Sequence, residues 1–376
     1  MKICVNTISK NEIKFVDKFM ESCDGADEVI VADTGSTDGT IEKLRSLGAT
    51  VHNINVDWIN WPKKPTKEWR SRLKKPWRFD VARNMALDMV PEDFDVVISL
   101  DLDEVLLKGW RKHLEDAWSK DTTRIRYKYI WNHNPDGSPD VVFWTDKIFS
   151  RNNYEWRHPV HEVIYYNGGG REKISDSKIV IEHFADTSKP RNSYLPLLEL
   201  STFEDPKNDR NSHYLGREYY FYGKHKKAKE ELERHLSLRS STWKSERARS
   251  MTMIGHCCIA LGDKDEATKW YLRSCAECPY EREPWVDLAQ HYHNIGDHLG
   301  GYYAAVNALK IDDRPMTYVS RGYAWGARPY DIAGTCAFYI GLLEESFKHT
   351  KTAYEKDPSN ERIKKNLELI GSRLNA

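Results

Sequence analysis

The segment VVISLDLDEVL, residues 96–106, runs from apolar residues into Asp101, Asp103 and Glu104. Side chains alternate along an extended strand, so a strand continuing to 103 would turn Asp101 and Asp103 to one side and Leu102 to a core. Two hard carboxylates aimed at one point suit Mg2+ or Mn2+, ions that commonly keep positions open for the phosphates of a substrate. Alone the spacing is weak, because strands often end in acidic, solvated turns. A second stretch, EVIVADTGSTDGT, sets Asp33 behind an apolar run, with Gly35 for a tight turn and Ser36, Thr37 and Asp38 as candidate helix caps. On local signals that is equally a well-made strand-to-helix turn. Thr7 in CVNTISKNE and Arg83 in FDVARNMAL complete the set.

The elements that must position these residues follow from the pattern around them. KICVNTI, DEVIVADT, ATVHNINV and VVISLDLD read as strands separated by helical stretches, which implies a mainly parallel sheet with helices on its faces. Ligands of such sheets bind beyond the carboxyl ends of the strands, where Thr7, Asp33 and Asp101 are expected. From about residue 125, IRYKYIW, VVFWTDKIF, VHEVIYY and KIVIEHF read as further strands, and after about residue 190 the pattern is helical.

The helical part repeats. Gly223, Gly262, Gly296 and Gly341 are each followed five positions later by a small residue: Ala228, Ala267, Gly301 and Ser346. Spacings of 39, 34 and 45 residues, with small residues where paired helices would cross, resemble tetratricopeptide (TPR) repeats of about 34 residues. Such arrays form concave surfaces for peptides or protein partners, or brace a neighbouring domain. The expected domains are residues 1–190 and 191–376.

The chain has 376 residues, 40% hydrophobic and 30% charged, which suits two soluble cores. Lys+Arg and Asp+Glu are equal at 57, so overall charge gives no argument for nucleic acid or an anionic membrane. MKICVNTISKNEIKF lacks the apolar run of a signal peptide, and no window approaches the ~20 apolar residues of a membrane span. The expected location is cytoplasmic. The seven cysteines do not form a disulfide pattern; Cys275 and Cys278 with the adjacent Cys257 and Cys258 make a poor zinc site, and reduced buried thiols are expected.

Thr7, Asp33, Arg83 and the DLDE at 101–104 occur in the order and sheet positions of inverting glycosyltransferase family 2, and the resemblance covers residues 1 to about 190. It implies an α/β GT-A domain, Rossmann-like with a mainly parallel sheet, ahead of the all-α TPR-like domain. By the resemblance Thr7 and Asp33 hold the base and ribose of a nucleotide-sugar donor, with UDP as the family's usual nucleotide. Arg83 lies near the diphosphate, and Asp101 and Asp103 bind Mn2+ or Mg2+. Glu162, in RHPVHEVIY, is the candidate catalytic base, and His183, at the end of KIVIEHF, a candidate third metal ligand. His161 can face the same site as Glu162 only if the segment is a loop, because strand neighbours face opposite ways.

One segment departs from the family pattern. Residues 58–77 mix seven basic residues with Trp58, Trp61, Trp69 and Trp77. Basic and aromatic side chains together can bind phosphates and stack on bases or sugars, so Trp61, Lys64, Trp69 and Arg72, with His161, are candidate acceptor contacts, and the segment is expected to add little to the core. The other reading is a mobile, solvated basic loop. The acceptor is open between a glycan, a peptide and a modified nucleic acid. The competing function is an inactive transferase-like scaffold that binds a partner through its repeats; nucleotidyl transfer is disfavoured because no Gly-rich phosphate loop with Lys is present.

Overall fold

Strand β1 (Ile3–Ser9) is buried along its length and lies between β2 (Glu28–Asp33) and β4 (Val96–Ser99), parallel to both, with β3 (Thr50–Asn53) beyond β2. Near-continuous apolar runs are what such strands need, because both faces are covered. Ile3, Val5, Val29, Val31 and Ile98 face one core with Phe19 of α1 (Val16–Ser22) and Leu44 of α2 (Thr40–Ser46). The alternate residues Cys4, Ile30 and Val97 face another, with Leu87 of α4 (Phe79–Asp88). Before α4, the chain forms α3 (Lys67–Leu73).

The computed structural model describes residues 1–134, 136–186 and 194–374, which fall into two compact units, Met1–Glu204 and Asp205–Ala376. The expected domain boundary at 190/191 lies outside the described residues. In the first unit the sheet continues through β7 (Val142–Ser150), β6 (Arg124–Ile130), β10 (Ile174–His183) and β5 (Glu104–Leu106), giving the order β3-β2-β1-β4-β7-β6-β10-β5. β7 is antiparallel to both β4 and β6. Helix α5 (Trp110–Ala117) follows β5, a separate hairpin pairs β8 (Tyr154–Arg157) with β9 (Val163–Tyr166), and α6 (Tyr194–Glu204) ends the unit. The unit is a GT-A fold with a mainly parallel sheet.

Two expectations about the strands are corrected. β4 stops at Ser99, and Asp101 to Asp103 form a turn before β5, with Glu104 N donating to Asp101 O at 2.9 Å. Strand alternation therefore does not aim the two aspartates. Thr7 does not end its strand either, because pairing with β2 continues to Ser9 opposite Asp33.

The second unit is built of helical hairpins: α7 (Asp209–Phe221) with α8 (His225–Ser237), α9 (Lys244–Ala260) with α10 (Lys264–Glu277), α11 (Arg282–Ile295) with α12 (His298–Leu309), and α13 (Arg328–Tyr339) with α14 (Leu343–Lys356), closed by α15 (Glu361–Leu374). Each of the four repeat glycines sits in the turn inside a hairpin with φ between 67° and 87°, a backbone state that side chains strongly disfavour. The small residues five positions on, Ala228, Ala267, Gly301 and Ser346, are all buried. This is a TPR-like array.

The spacing of 45 has a structural cause. Between α12 and α13 the chain runs through an irregular stretch, with a short 3-10 turn at Gly322–Ala324, that lies back on α9 and α11: Tyr318 donates to Glu246, Tyr323 Oη donates to Asp287 at 2.8 Å, and Trp325 Nε1 donates to Glu283 at 3.0 Å. The seven cysteines are all unpaired and buried, and burial pushes the Cys257 thiol up to about 12, which leaves it unreactive.

Candidate active site

Beyond the end of β4 the turn presents Asp101 to two cations. Arg83, on α4, donates from Nη2 to both Asp101 oxygens at 2.8 and 3.1 Å, and Lys147 Nζ, on β7, stands 3.7 Å from Asp101 Oδ2. Burial alone would raise the Asp101 pKa, but Arg83 and Lys147 overcome it and hold the carboxyl well below the usual range. Lys147 is partly buried, and the Glu104 and Asp101 charges keep it firmly protonated against that burial. Glu104 anchors the arrangement: it accepts from Lys147 Nζ at 2.9 Å, from Tyr129 Oη at 2.6 Å and from Asp101 N at 2.9 Å.

Asp103, at the other end of the turn, faces β10. Its Oδ2 lies 3.5 Å from His183 Nε2, and the opposite ring nitrogen, Nδ1, is 2.9 Å from the Trp131 carbonyl. A carbonyl only accepts, so Nδ1 carries a proton; burial lowers the His183 pKa, but the Asp103 carboxylate beside Nε2 and the Trp131 carbonyl outweigh it and raise it. A divalent ion would take the place of the Nε2 proton, with Nδ1–H to Trp131 as the outer hydrogen bond of a metal-binding imidazole. Adjacent ligands of an octahedral ion about 2.1 Å away sit ~3 Å apart, so the pair fits a divalent ion after a small closure. Trp131, 45% exposed, stacks on His183 at 4.4 Å.

Glu162 joins the same cluster, accepting from Arg83 Nε at 2.5 Å. It is brought there by a loop: β9 starts at Val163, and His158 and His161 have φ of 81° and 51°. That irregular backbone removes the strand alternation that would send His161 and Glu162 to opposite faces. The loop is tied to α4, since Asn84 exchanges two hydrogen bonds with the Trp156 backbone, both 2.8 Å, and Phe79 N donates to Pro159 O at 2.9 Å. His161 lies 5.8 Å, ring to ring, from Tyr194.

Asp33 is fully buried, and its oxygens accept from Gly35 N and Ser36 N, both at 2.8 Å, from Ser36 Oγ at 2.5 Å and from Ser9 Oγ at 2.7 Å. A carboxylate has about four acceptor positions, so its bonds go to shaping the β2–α2 turn and tying it to the end of β1. Thr7 Oγ1, also buried, donates to Ile8 O at 3.1 Å.

The basic insertion contradicts the expectation that it adds little to the core. Trp61 and Trp69, 5% and 6% exposed, pack in a cluster with Val56, Val81, Ala82 and Leu200. Arg78 bonds to Asp80 and Glu204 beneath them. An indole buries too much apolar area to be left in water when a core is in reach. Of the proposed acceptor contacts only Lys64 and Arg72 are exposed, and Arg72 pairs with Glu199.

Lys147 and the Glu104 anchor were missed in the sequence. A lysine in VVFWTDKIF reads as solvent-facing; it is partly buried here because β7 sits mid-sheet.

Residues 4–177 match the family model described as Glycosyl transferase family 2. No curated protein matches the chain. Among solved structures it is similar to MamA (20% identity, covering 46% of this chain and 91% of that one, TM-score 0.37). It is also similar to YrrB, a TPR protein with an unusual peptide-binding site (12%, 47% and 84%, TM-score 0.39), and to TTC0263, a thermophilic TPR protein of Thermus thermophilus (15%, 48% and 89%, TM-score 0.34). No helix among the described residues is long and apolar enough to cross a membrane. The family match runs through the sheet, Arg83, the aspartate turn and Glu162, and the N-terminal unit of this chain belongs to glycosyl transferase family 2.

Proposed function

We propose that the N-terminal unit transfers a sugar, with inversion, from a nucleoside-diphosphate sugar to an acceptor, and that it uses a divalent ion. One observation carries the reading: Arg83 and Lys147 converge on Asp101 beside the Asp103–His183 pair, so fixed cations and ligands for an ion meet at one strand end. Asp103 and His183 would hold Mn2+ or Mg2+, with Asp101 beside them. The ion, when bound, offsets the negative charge that grows on the departing diphosphate.

The chain's own residues do the rest. Arg83 and Lys147 are cations already held in place, so they stabilise charge on the leaving group without reorganising. A diphosphate competes with Asp101 and Glu162 for Arg83, and a Glu162 released in this way is free to take the acceptor's proton. Thr7 and the loop built on Asp33 take the nucleoside. Lys64, Arg72 and His161 are offered as acceptor contacts, with Trp131 as a stacking surface.

The helical unit is proposed to hold an acidic segment of the acceptor or of a protein partner. Arg217 Nε is buried without a hydrogen-bond partner, Arg321 lies in the field of Arg249 and Arg217, and neither Arg217 nor Arg321 forms an ion pair among the described residues. Crowded guanidinium groups favour an anion. The catalytic reading also counts against a purely binding scaffold, which has no need of Lys147 held beside Asp101 at the strand end.

The test is a thermal-shift screen of nucleotide sugars with Mn2+ or chelator, followed by a hydrolysis assay with the best donor. A ligand at 100 times its Kd stabilises by about 2.7 kcal/mol. Metal-dependent stabilisation together with donor hydrolysis is expected; full turnover in excess chelator would overturn the metal dependence, and absence of any donor shift would favour the scaffold.

A further inference from the structure

We propose that His293, His298 and Cys336, in the helical unit, bind a thiolate-seeking divalent ion of the Zn2+ type. One ligand atom from each lies within 4.8 Å of the others, and Cys336 Sγ is 3.8 Å from His293 Nδ1. Sulfur and nitrogen bound to one tetrahedral zinc ion, at about 2.3 and 2.05 Å, stand ~3.6 Å apart. The observed separation needs almost no movement.

Three features point to a ligand in place of ordinary packing. His298 Nδ1 is buried with no hydrogen-bond partner, and a buried polar atom left unpaired costs stability. Its ring stacks on Tyr339 at 4.2 Å and 13°, which fixes the ring plane. Gly301, one turn into α12, lets the helix pass against the thiol, since a Cβ there would lie 2.8 Å from Cys336 Sγ. A second group of metal-ligating type among the described residues, the buried His213, His235 and Glu246, differs: its members bond to Ser250, Ser241 and Tyr318, so they already have partners.

The chemistry balances without a redox step. Burial and the neighbouring His298 push the His293 pKa down, so its lone pair is available near neutrality. Burial pushes the Cys336 thiol up to about 12, so the ion must displace a proton: Cys–SH and M2+ give the M–thiolate bond and one H+. His293 and His298 are half-buried, which leaves the fourth tetrahedral position to water. The ligands come from the α11–α12 turn and from α13, so the ion would staple adjacent hairpins, and in a repeat array such interfaces carry much of the stability.

The probe is Co2+ added to the full chain at one equivalent. A thiolate bound to cobalt absorbs in the near ultraviolet, and the Asp103–His183 site holds no sulfur to produce that band. The band is expected in the unaltered chain, lost in Cys336→Ser, weakened in His298→Gln and abolished by an excess of Zn2+. Zn2+ should raise the melting temperature of the unaltered chain by several degrees and that of His298→Gln by far less. Because Cys336 is in the core, the half-buried His298→Gln is checked first for an unchanged metal-free helical spectrum. Absence of the band at one equivalent, its survival in Cys336→Ser, or an equal Zn2+ shift in His298→Gln would overturn the proposal.

Discussion

Glu162 accepts a hydrogen bond from Arg83 Nε at 2.5 Å, so the candidate base and the candidate diphosphate contact are bound to each other. Arg83 occupies a Glu162 oxygen, so a donor diphosphate that draws Arg83 away frees that oxygen for the acceptor. Glu162→Gln is therefore expected to keep or gain donor affinity, measured by calorimetry, while turnover falls by about 10²- to 10⁴-fold. Near-normal turnover would remove the base assignment, and a defect rescued by extra metal would move Glu162 to the ion. With a thiol acceptor the loss shrinks at high pH, where the thiolate forms unaided.

Lys147 is held by Glu104, which is 2% exposed, and stands beside Asp101. Removing one member of a buried pair typically costs roughly 3–5 kcal/mol, because the other charge is stranded. Lys147→Met should lower both the melting temperature and donor affinity. The double variant Lys147→Met/Glu104→Gln should recover most of the stability and none of the affinity. If affinity returned with stability, Lys147 would be a structural residue only.

The legibility of this chain divides along physical lines. The parallel strands could be read because burial on both faces writes continuous apolar runs, and the repeats because each hairpin turn demands a positive φ that glycine supplies, as at Gly262 and Gly296. Asp101 and Asp103 were placed at the right strand end for a wrong reason: period-two alternation holds inside a strand, and β4 had already ended. Lys147 was invisible because burial of a strand residue depends on sheet order, which residues distant in sequence decide. The tryptophans of the insertion did carry a signal, their large apolar area, but the surrounding lysines and arginines masked it.

That insertion yields a test that separates packing from recognition. Trp69 sits in a core with Trp61 and Val81, so Trp69→Ala should cost about 3–5 kcal/mol and lower the melting temperature. Lys64 is exposed, and Lys64→Ala should leave melting within about 0.5 kcal/mol of the parent while raising the acceptor KM. An unchanged KM would make the exposed basic residues a solvated surface.

The second unit should be acid-labile because of His213. Its ring is buried, with Nδ1 2.8 Å from Ser250 Oγ, which in turn lies 3.0 Å from His235 Nδ1. Burial pushes the His213 pKa down to about 3, against the pull of Glu246 and with help from His235 and Arg217. An unfolded histidine titrates near 6.5, so between about 6.5 and 3 the unfolded chain binds a proton that the folded chain refuses. Stability is then full above 6.5 and lost as pH falls, at up to ~1.4 kcal/mol per pH unit for one proton. Glu246 adds a loss in the same direction: burial alone would raise its pKa, but His213, His235 and Tyr318 lower it to about 2, so its contribution fades below the unfolded value of ~4.5. Melting followed by far-UV circular dichroism at pH 7.5, 6.5, 5.5 and 4.5 should therefore show a falling melting temperature. His213→Gln keeps a polar side chain opposite Ser250 but cannot titrate, so it should start lower at pH 7.5 and decline less steeply. Equal slopes in the two proteins would show that His213 is not the group responsible.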